Sequence, residues 1–173
     1  MNKSEITTHL DTVHSAFWET AIQLPNPTIT INGKWSVAQN VEHINTTLSR
    51  VNNYLSLPKA TIESSFGGSN RASITYDEFV EAYRKALANG AKASAPFIPE
   101  LNPKAAIDEL VEQGKNSLES FISNLQNWSE EELERYICPH PVLGKTTVRE
   151  MLYFIVYHVQ HHHKTIQKQS ELG

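Results

Sequence analysis

The chain has 173 residues, of which 39% are hydrophobic and 20% are charged. This size and balance are ordinary for one globular domain with its own core, and we expect a single domain over 1–173. The net charge of −4 and the scattered Lys and Arg residues disfavour nucleic acid as a partner. The one cysteine, Cys138, excludes an internal disulfide. Without a signal-like apolar run or a stretch of roughly 20 apolar residues, we expect a soluble cytoplasmic protein with no membrane partner.

The first predicted helix runs from about Ser4 to Leu24. Apolar residues recur along it at steps of three and four, which is typical of one buried helical face, and Pro25 is expected to end it. His9 and His14 lie off this stripe and are therefore predicted to be solvated or at its rim. The alternating residues 28–31 then predict a short extended segment, which the Asn-Gly pair at 32–33 would turn.

The second predicted helix begins after Ser36. Ser36 and Gln39 have the spacing of a capping box, and apolar residues then follow at alternating steps of four and three as far as Leu55. That heptad pattern favours nearly antiparallel packing in a helical bundle. His43 lies about 120° from the centre of the stripe, so periodicity alone places it at the rim or in solvent.

The middle of the chain predicts a long polar connection over 56–75 and two further helices. Thr75 and Glu78 form a capping box before a helix that the Asn-Gly pair at 89–90 should stop. The pair Asn102-Pro103 has the sequence of an N-cap followed by proline at the first helical position. It is expected to open a strongly amphipathic helix that reaches Leu125.

The last third predicts a short acidic helix, a loop and a long final helix. Ser129 and Glu132 cap the acidic helix, and the Pro-rich residues 139–144 are expected to form a turn or loop. Thr147 and Glu150 cap the final helix, which should end near residue 169. Four long amphipathic helices without a convincing set of strands predict an all-α four-helix bundle with short additional helices.

Four of the eight histidines occur within six residues of the final helix, at His158, His161, His162 and His163. His158 and His162 are four residues apart, so both imidazoles project from one face and could reach one cation. His162 lies about 40° and His158 about 80° from the apolar stripe, whereas His161 lies about 140° from it. His163 lies about 140° from His158, so these two cannot easily share an ion. We expect His161 and His163 to lie outside the ligand set or at the surface.

A histidine pair four residues apart also has an ordinary explanation, as packed or solvated side chains. Neutral imidazole is a ligand for zinc, nickel, copper and iron, but the pair is common enough on helices that it does not establish a site. A third ligand is needed to decide between a metal site and packed or solvated side chains.

Three segments together resemble the DinB and YfiT-like superfamily of four-helix metalloproteins: residues 34–43, 141–150 and 157–162. In that family a tryptophan-led helix carries the first histidine ligand and the last helix carries an H-x-x-x-H pair. The resemblance therefore implies a metal site made by His43, His158 and His162, with zinc or nickel as the expected ion. It also implies an up-down-down-up bundle with long crossovers.

The resemblance implies several activities. Family members include low-molecular-weight-thiol S-transferases, a thiol-dependent isomerase, metal-dependent hydrolases and DNA-damage-inducible proteins without a known substrate. We expect a metal-dependent enzyme in which the ion activates water or a thiol toward a small-molecule substrate. The alternative is a non-catalytic, stress-related metal-binding or scaffolding bundle. A homodimer is a further expectation, since exposed bundle faces can pair.

The sequence offers no evident general base near these histidines. Glu150 lies roughly 12 Å along the helix from His158, and Glu42 points about 100° away from His43, so both are expected to be structural or solvated. Asn40 and Thr165 lie on the histidine side of their helices and are candidates for polar lining of a pocket. Its candidate aromatic walls are Trp35, Tyr54 and Phe154.

Overall fold

The structure, a computed structural model, describes residues 1–100 and 106–170. In chain order its elements are α1 (Lys3–Gln23), α2 (Val37–Leu55), α3 (Lys59–Phe66), α4 (Tyr76–Ala88), a 3-10 helix (Ala95–Phe97), α5 (Ile107–Gln126), α6 (Glu130–Arg135), β1 (Ile137–His140), β2 (Gly144–Thr147) and α7 (Val148–Ser170). The four long helices α1, α2, α5 and α7 confirm the predicted all-α bundle, and the short helices elaborate it. No helix in these described ranges is both long and apolar enough to cross a membrane.

Packing between the long helices does not follow their order along the chain. Helix α2 packs mainly against α5, and α1 packs mainly against α7. The consecutive helices α1 and α2 contact each other less than either contacts α5 or α7. A simple up-down-up-down ring would instead place consecutive helices side by side. Because α2 also contacts α7, histidines on these two helices can meet inside the bundle.

Local sequence signals determine where most helices begin. All four predicted capping boxes are present: Ser36 with Gln39, Thr75 with Glu78, Ser129 with Glu132, and Thr147 with Glu150. A fifth box, which was not predicted, pairs Asn2 with Glu5 at the start of α1. In each box two helix N–H groups that would lack a partner gain one. The predicted Asn-Gly turn is also present, with positive φ angles of 54° at Asn32 and 70° at Gly33.

Helix α5 approaches α1 and α2 closely at Gly114. A Cβ atom at this position would lie 2.6 Å from the indole of Trp18 and 2.5 Å from the amide oxygen of Asn45. Trp18 is 1% exposed and therefore fills the space that a side chain on α5 would need. The absence of a side chain at Gly114 thus lets the three helices share one apolar core.

Three sequence expectations about the connections need correction or lie outside the described residues. The connection over 56–75 is not wholly irregular, because α3 occupies Lys59–Phe66 and buries Ile62. Residues 28–31 contain one turn position and one bend position but no strand. The predicted N-cap at Asn102-Pro103 lies outside the described residues, and the described part of that helix begins at Ile107.

The prediction of a turn or loop over 139–144 is right for 141–143 only, because these residues form the turn of an antiparallel hairpin whose strands include the rest. Strand β1 pairs with β2 from Ile137 opposite Thr147 to His140 opposite Gly144. Pro139 fits because it is exposed in a short two-stranded sheet, where one missing N–H is tolerated. The hydroxyl of Tyr54 on α2 donates to the Ile137 carbonyl at 2.7 Å and anchors the hairpin to the bundle.

The expectation for the two N-terminal histidines is half right. His9 is exposed, as predicted. His14 is only 1% exposed, because it packs beside Trp18 with their ring centroids 5.3 Å apart. Its Nδ1–H can donate to the Leu10 carbonyl at 2.7 Å, one turn earlier in α1. His14 lies outside the apolar stripe of α1, but Trp18 covers it and so extends the buried face of the helix beyond that stripe.

Candidate metal centre

Three histidines from two helices meet inside the bundle. His43 comes from the middle of α2, and His158 and His162 lie one turn apart on α7. Their exposed fractions are 4%, 4% and 8%. The Nε2 atom of His158 lies 3.1 Å from Nε2 of His43 and 3.1 Å from Nε2 of His162. The sequence prediction therefore names residues that the fold brings together as a group that could hold a metal ion.

His43 is buried although periodicity placed it at the rim of its helix. The segment after α4 returns over this part of α2, and the Phe97 carbonyl accepts from His43 Nδ1 at 2.6 Å. The indole of Trp35 covers the same imidazole, with ring centroids 4.8 Å apart. A donating Nδ1 leaves the lone pair of the neutral ring on Nε2, which is the atom that faces the other two histidines.

His162 is oriented by a side chain from the opposite helix. Its Nδ1 lies 2.7 Å from the Oδ1 of Asn40. The amide nitrogen of Asn40 donates to the carbonyls of Trp35 and Ser36, which fixes its oxygen toward His162. Because an amide oxygen can only accept, His162 Nδ1 carries the proton and Nε2 carries the lone pair. The sequence predicted Asn40 as polar lining of a pocket; the structure instead makes it the hydrogen-bond partner of His162, outside the residues that line the adjoining cavity.

The donor set fits a cation. Nε2 of His43 and Nε2 of His162 both present lone pairs toward Nε2 of His158, which carries at most one proton when neutral. At most one of the two 3.1 Å contacts can then be a hydrogen bond. Two nitrogens bound tetrahedrally to one zinc ion at about 2.05 Å would lie about 3.3 Å apart. One ion between the three nitrogens would turn mutually repelling lone pairs into ligands.

The three imidazoles are in a state that suits metal binding. Burial lowers the pKa of His158 and His162 well below the ordinary value, and the neighbouring histidines lower it further. Burial also lowers the pKa of His43, although its hydrogen bond to Phe97 opposes this. Because only the neutral ring can bind a metal, this environment reduces the competition of protons with the ion.

The histidine group opens on a cavity of about 430 Å³. This volume lies in the range of pockets that hold small molecules. Aromatic side chains make much of its wall: Trp35, Tyr54, Phe66, Tyr83, Phe97 and Phe154. Trp35, Tyr54 and Phe154 were the walls expected from the sequence. Phe154 stacks on His158 and Trp35 on His162, so the wall also holds the imidazoles in place.

No carboxylate lines this cavity among the described residues. Glu150 instead accepts from the Thr147 backbone and from Arg71. Burial alone would raise the pKa of Glu150, but these and other hydrogen bonds outweigh it and lower the pKa, so the side chain is an ionised structural cap. Glu42 is half-buried and accepts from the Glu100 backbone. The expectation that neither acts as a base of the site agrees with these positions.

The remaining histidines of the cluster and Thr165 lie outside the group of three. His163 Nε2 bonds to Thr20 of α1 at 2.8 Å, which joins α7 to α1. His161 is half-buried and lines the cavity. Thr165 donates to the His161 carbonyl within its own helix and is not a lining residue. The candidacy of Thr165 is therefore wrong.

Several residues of the hairpin also line the cavity, and two of them, Cys138 and His140, carry groups with possible chemical roles. Cys138 is buried there, and burial raises the pKa of its thiol to about 12, so it is not a ready nucleophile. His140 is 3% exposed, and burial lowers its pKa to about 4. The sequence reading missed His140 because its flanking prolines suggested an exposed loop. Within β1, Ile137, Cys138 and His140 are buried and Pro139 is exposed, a pattern that only the folded hairpin shows.

A three-histidine group that lines a cavity in a four-helix bundle defines a class of candidate metalloproteins. The DinB superfamily matches the chain over residues 8–166, and the chain belongs to this family. No curated protein and no solved structure matches it.

Proposed function

We propose that the protein is a metal-dependent enzyme whose divalent ion, zinc or nickel, is held by Nε2 of His43, His158 and His162. The observation that carries the proposal is that these three atoms converge at the wall of a cavity large enough for a small molecule. A structural site would normally have four protein ligands and no adjoining space. Three ligands beside a cavity are the arrangement that a catalytic site requires.

A divalent ion at this place, when bound, acidifies water or a thiol and so supplies a nucleophile at neutral pH. The chain's own residues orient the site and exclude solvent. Phe97 and Asn40 fix two imidazoles in the tautomer that binds metal. The aromatic wall keeps bulk water from the reacting end and offers an apolar surface to a substrate or to the body of a thiol.

The reaction is hydrolysis or transfer of a low-molecular-weight thiol to an electrophilic small molecule. The described wall has no Asp or Glu to take a proton from the nucleophile. A thiol, with a pKa of about 8.5, needs less help to ionise than water. This argument favours thiol transfer over hydrolysis, although metal coordination alone can ionise water near pH 7 in other enzymes.

Metal analysis of the protein as purified, beside a variant with all three histidines replaced by alanine, tests the site. We expect close to one equivalent of zinc or nickel in the wild type and a background level in the variant, with both proteins helical by circular dichroism. Equal metal content in the two proteins would exclude this site.

Two activity screens then separate the two reactions. The first pairs cysteine-based low-molecular-weight thiols with alkyl halide and epoxide electrophiles, and the second uses ester and amide substrates without thiol. Metal-dependent turnover in the first screen alone supports transfer, and turnover in the second alone supports hydrolysis. A metal-loaded protein that is inactive in both favours the alternative function, a non-catalytic metal-binding bundle.

A further inference from the structure

The cavity wall differs in charge from the rest of the molecule. Among the described residues of its lining, the only Lys or Arg side chains are Arg50 on α2 and Lys92 just after α4, and there is no Asp or Glu. The whole chain carries 19 acidic and 15 basic residues. Negative charges outnumber positive ones overall, yet within the described lining only positive ones are present. The cavity is therefore suited to an anion before any metal ion is considered.

Arg50 contacts Phe97, whose carbonyl is hydrogen-bonded to a histidine of the candidate metal centre. Its guanidinium carbon lies 5.1 Å from the centroid of the Phe97 ring, which is cation–π distance, and both side chains line the cavity. The carbonyl of the same Phe97 accepts from His43. Within 1–100 and 106–170, no ion pair or hydrogen bond to a carboxylate occupies Arg50. Its planar set of N–H donors thus remains available for a carboxylate or similar group.

His140 supplies a third donor without an acceptor. Its Nδ1 accepts from the backbone N–H groups of Val142 and Leu143, both at 3.1 Å, so the neutral ring carries its proton on Nε2. Nε2 is buried and has no hydrogen-bond partner in the described part of the chain. The Phe154 ring, 4.4 Å away between centroids, can accept only weakly. A buried donor without a strong acceptor is rare in proteins and requires an explanation, which a ligand would give.

We propose that the cavity binds small anionic molecules with an apolar body. Arg50 and Lys92 hold the anionic group, a carboxylate or a group of equal charge, and the aromatic wall packs against the body. His140 donates from Nε2 to an acceptor atom of the same ligand. The inference rests on the proposed function only in placing the reacting end of the ligand near the three histidines. The preference for negative charge is a property of the chain alone.

Ligand displacement with a charged and an uncharged probe tests this inference. N-phenyl-1-naphthylamine, an uncharged dye that fluoresces in apolar cavities, is displaced by 4-phenylbutyrate or by 4-phenylbutyramide. The two competitors differ in charge and share the aromatic body and a carbonyl acceptor. We expect the carboxylate to compete about tenfold better than the amide, because charge-assisted hydrogen bonds are the stronger ones. Zinc-loaded and metal-stripped proteins are both measured, since zinc itself attracts a carboxylate.

Matched variants assign the preference to residues. Arg50→Gln combined with Lys92→Gln should abolish the tenfold preference in the metal-stripped protein, whereas Arg50→Lys alone should retain most of it. His140→Phe keeps an aromatic ring and should weaken both competitors severalfold. The control is Arg84→Gln combined with Lys85→Gln, which removes the same charge from exposed positions of α4 outside the cavity lining. This control should match the wild type.

Several results would overturn the inference. The inference is wrong if the dye does not bind or if the two probes compete equally. It is also wrong if the preference for the carboxylate survives in the Arg50 and Lys92 double variant, or if this preference is lost equally in the control. Failure of the proposed function is distinguishable from these results. A protein without metal or turnover that still prefers the carboxylate keeps the inference, and an active metalloprotein that treats both probes alike does not.

Discussion

Two regions of the bundle bury histidines, and they differ in what the imidazoles face. In α1, His14 is buried alone beside Trp18, and its hydrogen bond goes to a carbonyl of its own helix. At the junction of α2 and α7, His43 and His162 bond through Nδ1 to groups outside their own helices, and their Nε2 atoms face His158. Burial is nearly equal in the two places. Burial alone therefore does not define a candidate metal site. Such a site also needs hydrogen-bond partners that fix the tautomer of each imidazole and ring nitrogens that converge on one point.

The largest expected effect, on the amount of bound metal, is found by replacing one histidine in each region with alanine. His158→Ala should reduce the bound metal to background, because it removes the central one of three ligands and leaves two nitrogens on different helices. His14→Ala should leave the metal content at the wild-type level. Both are measured by elemental analysis after purification, with helical content checked by circular dichroism. Loss of metal in the His14 variant would show that the two regions are not independent.

The next effect concerns the residue that orients His162. Asn40→Ala should weaken metal binding about 10–100-fold, the usual effect of removing a side chain that orients a metal-binding histidine. Affinity is measured by competition with a chromogenic chelator. Asn52→Ala, on the same helix but bonded to Ser120 and Asn124 on α5, is the matched control and should bind metal normally. An unchanged affinity in the Asn40 variant would contradict the assigned role of its amide oxygen.

The bundle and the ligand pair on α7 could be predicted from the sequence because both depend on local periodicity. Helix boundaries followed capping boxes, and the spacing of His158 and His162 placed both rings on one face. His43 could not be found this way, since its burial depends on Phe97 and Trp35 covering it. Resemblance to the family identified it instead. Arg50, Lys92 and His140 were missed because only the tertiary fold brings them to one cavity.

A smaller effect is expected on thermal stability. At a zinc concentration 100-fold above its dissociation constant, binding to the folded state alone adds about 2.7 kcal/mol. For a chain of this size that corresponds to a rise in the melting temperature of about 5–10 °C. His14→Leu should show the same rise from its own baseline, and the variant without His43, His158 and His162 should show none. Differential scanning calorimetry with and without zinc measures the shift, and a rise in the triple variant would point to zinc binding elsewhere.

The smallest effect concerns acid sensitivity and belongs to His14. Burial lowers its pKa from 6.5 to about 4, so between these values the unfolded chain takes up a proton that the folded protein does not. This contribution to stability is fully present above pH 6.5 and is lost as the pH falls. The loss in the free energy of unfolding reaches about 2 kcal/mol at pH 5. In chelator-treated protein, His14→Leu should therefore lose about 2 kcal/mol less than the wild type between pH 7.5 and pH 5 in urea unfolding. His9→Leu removes an exposed imidazole with the same kind of hydrogen bond, to the Glu5 carbonyl, and should follow the wild type. Equal pH dependence in the His14 variant and the wild type would contradict the effect assigned here to the burial of His14.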